Sequence, residues 1–227
     1  DKGEHTYTID EILKAAKKAK TVIFVGGISP NLEREQARVS EPGFDGGDRT
    51  SIELPQVQRD ILKALKKAGK KVVFVCCSGS AVALTPELES CDAIIEAWYA
   101  GEQGGHALAD VLFGDYNPSG KLPVTFYKDD SQLPPFEEYA MQGRTYRFFH
   151  DEPLFPFGYG LSYTTFALGH EQLKMNSEGG YDISVDVTNT GRREGTEIVQ
   201  VYLRRPGDTA DGPVKTLRGY TRTKELK

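Results

Sequence analysis

Apolar positions along the first half of the chain recur in alternating helical and strand periods. With Thr8 or Asp10 as a cap, Ile12, Leu13 and Ala16 form an apolar stripe, and Lys14, Lys17, Lys18 and Lys20 complement a helix carboxyl end. Thr21 to Val25 is a β-branched and aromatic run closed by Gly26-Gly27, which predicts a buried strand with a tight exit. Val57, Ile61, Leu62 and Leu65 follow Pro55 at helical spacing, and Gly69 stops that helix. Lys71 to Cys77 is apolar almost throughout and predicts a central parallel strand covered on both faces. Ser78-Gly79-Ser80 then turns the chain into a short helical piece near 81–89, and Asp92 to Trp98 predicts the next buried strand. Gly101 to Gly105 opens a helix with Ala107, Leu108, Val111 and Leu112 facing inward, and Gly114 ends it. After the turn cluster Tyr116 to Gly120, Leu122 to Tyr127 predicts a last strand of this half. Helix and strand in alternation imply an α/β fold, a doubly wound, mostly parallel sheet over residues 1–127.

The period is lost after that. Residues 128–160 are rich in proline and aromatics, and Phe148, Phe149, Phe155, Phe157 and Tyr159 are too apolar to leave in water. They predict an ordered, aromatic-packed connection, not a flexible linker. From Leu161 the pattern is all β: Tyr181 to Val187 alternates, Asn189-Thr190-Gly191 turns, and Ile198 to Leu203 alternates again. Residues 161–227 supply only about half of the roughly seven strands of an immunoglobulin-like sandwich. A truncated sandwich with unpaired edges, partly disordered or paired with a second copy, is the expectation.

Composition narrows the classes. The chain has 227 residues, 38% hydrophobic and 27% charged, enough for one large domain or two small ones. A formal charge of −5 without a basic block argues against a nucleic-acid partner. No apolar run approaches a membrane span, and DKGEHTYT, which lacks an initiator Met, does not form a signal peptide, so the chain reads as a mature protein or a fragment. Cys76, Cys77 and Cys91 suit small buried thiols better than a disulfide frame or a metal site.

Three features could carry chemistry. The loop after Thr21–Val25 holds Glu33, Glu35, Glu41, Asp45 and Asp48 without apolar periodicity, at the strand end where α/β folds place ligand-facing groups; a solvated surface loop is the plainer reading. Ser78 and Ser80 lie where a nucleophile elbow would, yet no flanking glycines frame either serine, and a polar turn explains them. Gly101, Gly104 and Gly105 could cradle an anion, but their spacing fits neither nucleotide fingerprint, so close helix–sheet packing is preferred. His106, in that helix, reads as packed or partly exposed.

The stretch AWYAGEQGGHALADVLFGDYNPSGKLPVTFY, followed by GRTYRFF and EPLFPFGYGLSYTTF, resembles the carboxyl-terminal part of family 3 glycoside hydrolases, the β-glucosidase and β-xylosidase family. The resemblance covers nearly the whole chain. It implies an α/β sandwich domain followed by part of a fibronectin type III-like domain, and a (β/α)8 barrel elsewhere in the full-length protein as its partner. It implies an exo-acting, retaining hydrolase of terminal β-D-xylosyl or β-D-glucosyl residues, periplasmic or secreted, that needs no cofactor.

In that family the acid/base glutamate follows the first strand of this domain, in a stretch like x-E-x-E-G followed by D-R. The matching residues are Leu32, Glu33, Arg34 and Glu35, with Gly47-Asp48-Arg49 closing the loop. The resemblance therefore implies Glu35 as general acid/base, Glu33 as second candidate, and Asp48 and Arg49 as residues that pin the loop. Here Gln36 stands where the glucosidases have glycine, and about a dozen residues separate Glu35 from Asp48. The ISPNLEREQ and GFDGGDRTSIELP stretches resemble the xylosidase-like branch more. The nucleophilic aspartate belongs to the barrel, so this stretch is expected to have no turnover by itself. The contrasting class is a non-catalytic module binding carbohydrate or a partner through the aromatic segment Tyr139 to Tyr163.

Overall fold

The computed structural model describes residues 6–33, 39, 41–205 and 212–227. The chain divides into two compact units. The first comprises Asp1–Glu102, Thr125–Ala140 and Asp151–Phe155; the second comprises Gln103–Val124, Met141–His150 and Pro156–Lys227.

The first unit is built on a parallel sheet of β1 (Thr21–Gly27), β4 (Lys71–Cys77) and β5 (Ala93–Glu96), in that order. β4 is central, paired in register with both neighbours, and its Val72, Phe74, Val75 and Cys76 are fully buried. A near-continuous apolar run is what a strand buried on both faces requires. β2 (Phe44–Asp45) and β3 (Asp48–Arg49) form a small antiparallel hairpin within the loop that leaves β1. Gly46 and Gly47 both take positive φ at its tip, the conformation of a type I′ turn.

α1 (Ile9–Ala15) starts at Thr8, whose hydroxyl accepts from the Glu11 N–H while the Glu11 carboxylate accepts from the Thr8 N–H, a capping box. α2 (Gln56–Lys67) begins after Pro55 and stops before Gly69, which takes φ +73°. Its buried residues are Arg59, Leu62 and Leu65, whereas Val57, predicted to face the core, is 61% exposed. Arg59 occupies the buried face because it pairs with Glu87 (3.0 Å), Glu53 (2.5 Å) and the Ala83 carbonyl (2.8 Å).

Four predicted elements differ. β1, predicted to be buried, lies at one end of the sheet order with Ile23 45% and Val25 63% exposed. The helical piece near 81–89 shrinks to α3 (Glu87–Ser90), because Val82, Ala83 and Leu84 are fully buried in extended chain, and the Ala83 N–H donates to the Ile52 carbonyl. The strand predicted to run to Trp98 ends at Glu96, where Trp98 takes φ +53°. Leu122–Tyr127 is not a sheet strand. Only Phe126 forms a bridge, to Phe155, and Pro123 removes a ladder donor from this run.

In the second unit, α4 (Gly104–Phe113) ends at Gly114 in a left-handed cap. Leu108, Val111 and Leu112 are half-buried, but Ala107, predicted to face inward, is exposed. α5 (Thr145–Phe148) is a single turn. Four strands follow: β6 (Phe166–Met175) pairs antiparallel with β7 (Tyr181–Asn189), and β8 (Ile198–Leu203) with β9 (Thr216–Arg222). The turn cluster is wired to this β region. Asn117 accepts from the Tyr163 N–H and donates to the Glu194 carbonyl, Arg222 donates to Ser119 (2.7 Å), and Lys121 pairs with Glu197 (2.8 Å). Tyr146 stacks on Phe157 at 4.3 Å and meets Tyr202 edge-on. Of the aromatics predicted to pack, Phe149 is buried and Tyr159 is 37% exposed.

Candidate active site

The acidic loop leaves the sheet at the carboxyl end of β1, and both of its feet are fixed by groups remote in sequence. At the first foot, Gln58 of α2 grips Gly27 on both sides: the Gly27 N–H donates to Oε1 (2.8 Å) and Nε2 donates to the Gly27 carbonyl (2.7 Å). Gly27 takes φ +117° with the backbone of Cys77 where a Cβ would stand, so only glycine fits this exit. The Ile28 N–H donates to the Cys77 carbonyl, and the Leu32 and Glu33 N–H groups fold back onto the Ser29 carbonyl.

At the second foot the Arg49 guanidinium donates to Ser80 Oγ (2.8 Å) and to the carbonyls of Ala81 (3.2 Å) and Ser51 (3.2 Å). Burial pulls the Arg49 pKa down, and the nearby Glu33 and Asp130 carboxylates offset part of that. Its Nη2 is buried without a hydrogen-bond partner among the described residues. Asp130 accepts from Ser51 Oγ (2.6 Å) and from the Ile52 N–H (2.7 Å), which fastens the chain just past the hairpin.

The carboxyl end of β5 faces the same loop. Tyr99 Oη lies 2.6 Å from the Ile28 carbonyl oxygen and 3.1 Å from Glu33 Oε2, two acceptors that share its single O–H, and burial together with the Glu33 carboxylate pushes its pKa up to about 12, so the phenol keeps its proton. Glu96 Oε1 accepts from the Trp98 N–H (3.1 Å) and lies 3.3 Å from Ser78 Oγ, while Oε2 is buried without a hydrogen-bond partner among the described residues. Burial raises Glu96 to about 7, against the opposing hydrogen bonds from Trp98, Cys76 and Ser78.

The sequence-predicted site residues separate accordingly. Glu33 stands at the first foot, held by Tyr99. Glu35 lies outside the described residues. Asp48 is exposed in the hairpin, paired in register with Asp45, and Arg49 is the half-buried residue that reaches Ser80. Sequence reasoning did not single out Tyr99, Glu96 or Asp130. Only the strand-end position of the first two could have pointed to them.

The other candidates take plain roles. Ser78 is fully buried and donates to the Ser80 carbonyl (2.8 Å), the contact of a polar turn. A Cβ on Gly101 or Gly105 would meet open space, so close packing is not what places glycine there. His106 Nδ1 is exposed beside Gln103 Oε1 at 2.7 Å. Cys76, Cys77 and Cys91 are all free.

Comparison with known proteins gives this arrangement its class. The model of the glycosyl hydrolase family 3 C-terminal domain matches residues 3–163. The chain belongs to glycosyl hydrolase family 3. It is 60% identical over 213 residues to a xylan 1,4-β-xylosidase of Xylanibacter ruminicola, covering 93% of this chain and 24% of that protein. It is 43% identical to a periplasmic β-glucosidase of Salmonella typhimurium, covering 93% of this chain and 28% of the relative. A solved β-glucosidase of Kluyveromyces marxianus in complex with glucose superposes with a TM-score of 0.81 at 33% identity, over 96% of this chain and 27% of that one. The β-glucosidase 3B of Thermotoga neapolitana gives 0.78 at 30% identity, over 97% and 32%. The chain thus spans 24% to 32% of the length of these relatives.

Proposed function

We propose that this chain forms the acid/base-bearing part of a retaining exo-β-glycosidase acting on terminal β-D-xylosyl, and secondarily β-D-glucosyl, residues of oligosaccharides. A retaining glycosidase needs two carboxyl groups about 5 to 5.5 Å apart, one attacking the anomeric carbon and one passing a proton to the leaving oxygen. Glu35 is the proton donor in this reading, and the attacking aspartate belongs to a (β/α)8 barrel elsewhere in the full-length protein. The donor must stay protonated near neutral pH, which a carboxyl group achieves through burial or a neighbouring carboxylate. A loop glutamate acquires that environment when the barrel docks over it.

The observation that carries the reading is the acidic loop itself, with both feet clamped at the carboxyl end of the sheet, in a chain 60% identical to a xylan 1,4-β-xylosidase. The margin over the 43% identity to a β-glucosidase favours xylosyl as the terminal sugar. The exposed outer face of β1 also supports a docked neighbour, since Ile23 and Val25 are 45% and 63% exposed. The periplasmic relative supports a periplasmic or secreted location.

The test is to assay 4-nitrophenyl β-xyloside and β-glucoside hydrolysis by the full-length protein and by residues 1–227 alone. Turnover by the full-length protein and none by the isolated chain is expected. Hydrolysis by the isolated chain would overturn the assignment of the nucleophile to another domain. Xylobiose binding to the isolated chain in a calorimeter would favour a carbohydrate-binding module instead.

A further inference from the structure

We propose that Tyr99 is a positioning residue for the acid/base loop, with Glu33 as the loop's anchor and not its proton donor. This rests on the reading above and adds a division of labour between the two glutamates.

The chain around Tyr99 aims its ring at the loop. Its ring lies against Gly79, where an added Cβ would be 2.8 Å from Cε2. The preceding residue, Trp98, takes φ +53°, a conformation that is strained for a non-glycine residue and survives only where the surroundings over-determine it. Those surroundings are visible. The Trp98 N–H is capped by Glu96 Oε1, and its indole packs edge-on against Phe126 at 6.1 Å. The sharp turn after β5 throws the Tyr99 phenol across the strand ends to the foot of the loop leaving β1, 66 residues earlier for Glu33 and 71 for Ile28.

There it binds one backbone atom and one side chain. The Ile28 carbonyl ties down the loop's path, and Glu33 Oε2 ties down the turn that precedes residue 34. Glu33 also attracts Arg49, on the returning arm of the same loop, so the two feet are drawn together by opposite charges. A carboxylate held by a phenol and attracted by a nearby guanidinium is suited to anchoring. A proton donor has to meet a sugar's leaving oxygen, and Glu33 Oε2 is already committed.

The experiment compares the full-length protein with its Tyr99→Phe, Glu33→Ala and doubly substituted forms. Tyr99→Phe removes the hydroxyl alone and leaves the ring against Gly79. Misplacement of a reacting group by about 1 Å can cost on the order of 100-fold, so each single variant is expected to lower kcat on phenyl β-xyloside by about 10- to 100-fold. KM should move much less. The double variant should lose clearly less than the sum of the two single losses, because both substitutions remove the Tyr99–Glu33 contact. Amide exchange at Leu32 and Glu33 should quicken in Tyr99→Phe, a readout independent of turnover.

Unchanged exchange at those amides overturns the proposal, whatever the activity. So does full additivity of the two substitutions. Restoration of Glu33→Ala turnover by azide would show Glu33 to be the proton donor and overturn it as well. If the wild-type protein cleaves no glycoside, the functional reading fails while the exchange measurement still decides the tether.

Discussion

The ring of Tyr99 fills the space into which a side chain at position 79 would project, with Cε2 2.8 Å from where a Cβ on Gly79 would stand. The phenol at the other end of that ring holds the Ile28 carbonyl and Glu33, so the glycine and the loop are coupled through one side chain.

Gly79→Ala should therefore separate stability from function. Gly79 has no left-handed backbone requirement, and the Tyr99 ring, 46% exposed, can swing outward. The expected loss of stability is within about 1 kcal/mol, in the range of mild substitutions. Activity of the full-length protein should fall about 10-fold as the phenol leaves Ile28. Denaturant melts and initial rates on the same preparation check both.

Gly27→Ala should behave in the opposite way. The backbone of Cys77 occupies the position of a Cβ there, and φ +117° strains any L side chain. Neither can shift without parting β1 from β4. A loss above about 3 kcal/mol is expected in urea unfolding of the chain, with activity lost in proportion to the folded fraction.

The strands and the helix caps were the most legible parts of the sequence. Lys71–Cys77 is the central strand its apolar run predicts, and of the two caps open in the sequence, Thr8 and Asp10, the structure uses Thr8. Periodicity failed where a distant partner decides the face. Val57 points outward because Arg59, three residues before Leu62 on the same helix face, finds Glu87 28 residues away. Leu122–Tyr127 alternates like a strand, yet Pro123 withholds a donor and only Phe126 is bridged. The acidic loop was legible as a site through its motif. Its clamps were not, since nothing local announces that Trp98 turns left-handed or that Tyr99 reaches Glu33.

The Arg59–Glu87 pair should be costly to break and cheap to replace. Both side chains are nearly inaccessible, and burial raises the Glu87 pKa while Arg59 lowers it. Arg59→Ala strands a buried carboxylate and should cost about 3–5 kcal/mol. Arg59→Met combined with Glu87→Met should recover more than half of that loss. Urea denaturation of the three chains decides, and a single-variant cost under about 1 kcal/mol would contradict the pairing.

Glu96 gives a pH dependence of definite sign. Its pKa is raised to about 7 by burial, above the ordinary 4.5, so the folded state holds this proton more tightly than the unfolded one. Its stabilising contribution is complete below about pH 4.5 and is lost as pH rises through about 7. Glu96→Gln keeps an acceptor for Trp98 and Ser78 and removes the charge. The wild-type chain should lose stability relative to Glu96→Gln between pH 5 and pH 8, by on the order of 2 kcal/mol. Parallel unfolding curves at the two pH values would contradict the buried, partly neutral carboxyl group.

The most direct test of the central claim is the leaving-group dependence of Glu35→Gln in the full-length protein. Without a proton donor, β-xylosides of poor leaving groups should lose about 100- to 10,000-fold in kcat/KM, while the 2,4-dinitrophenyl xyloside, whose leaving group departs without protonation, should lose far less. An equal loss on both substrates, or none on either, would contradict the assignment of proton donation to this loop.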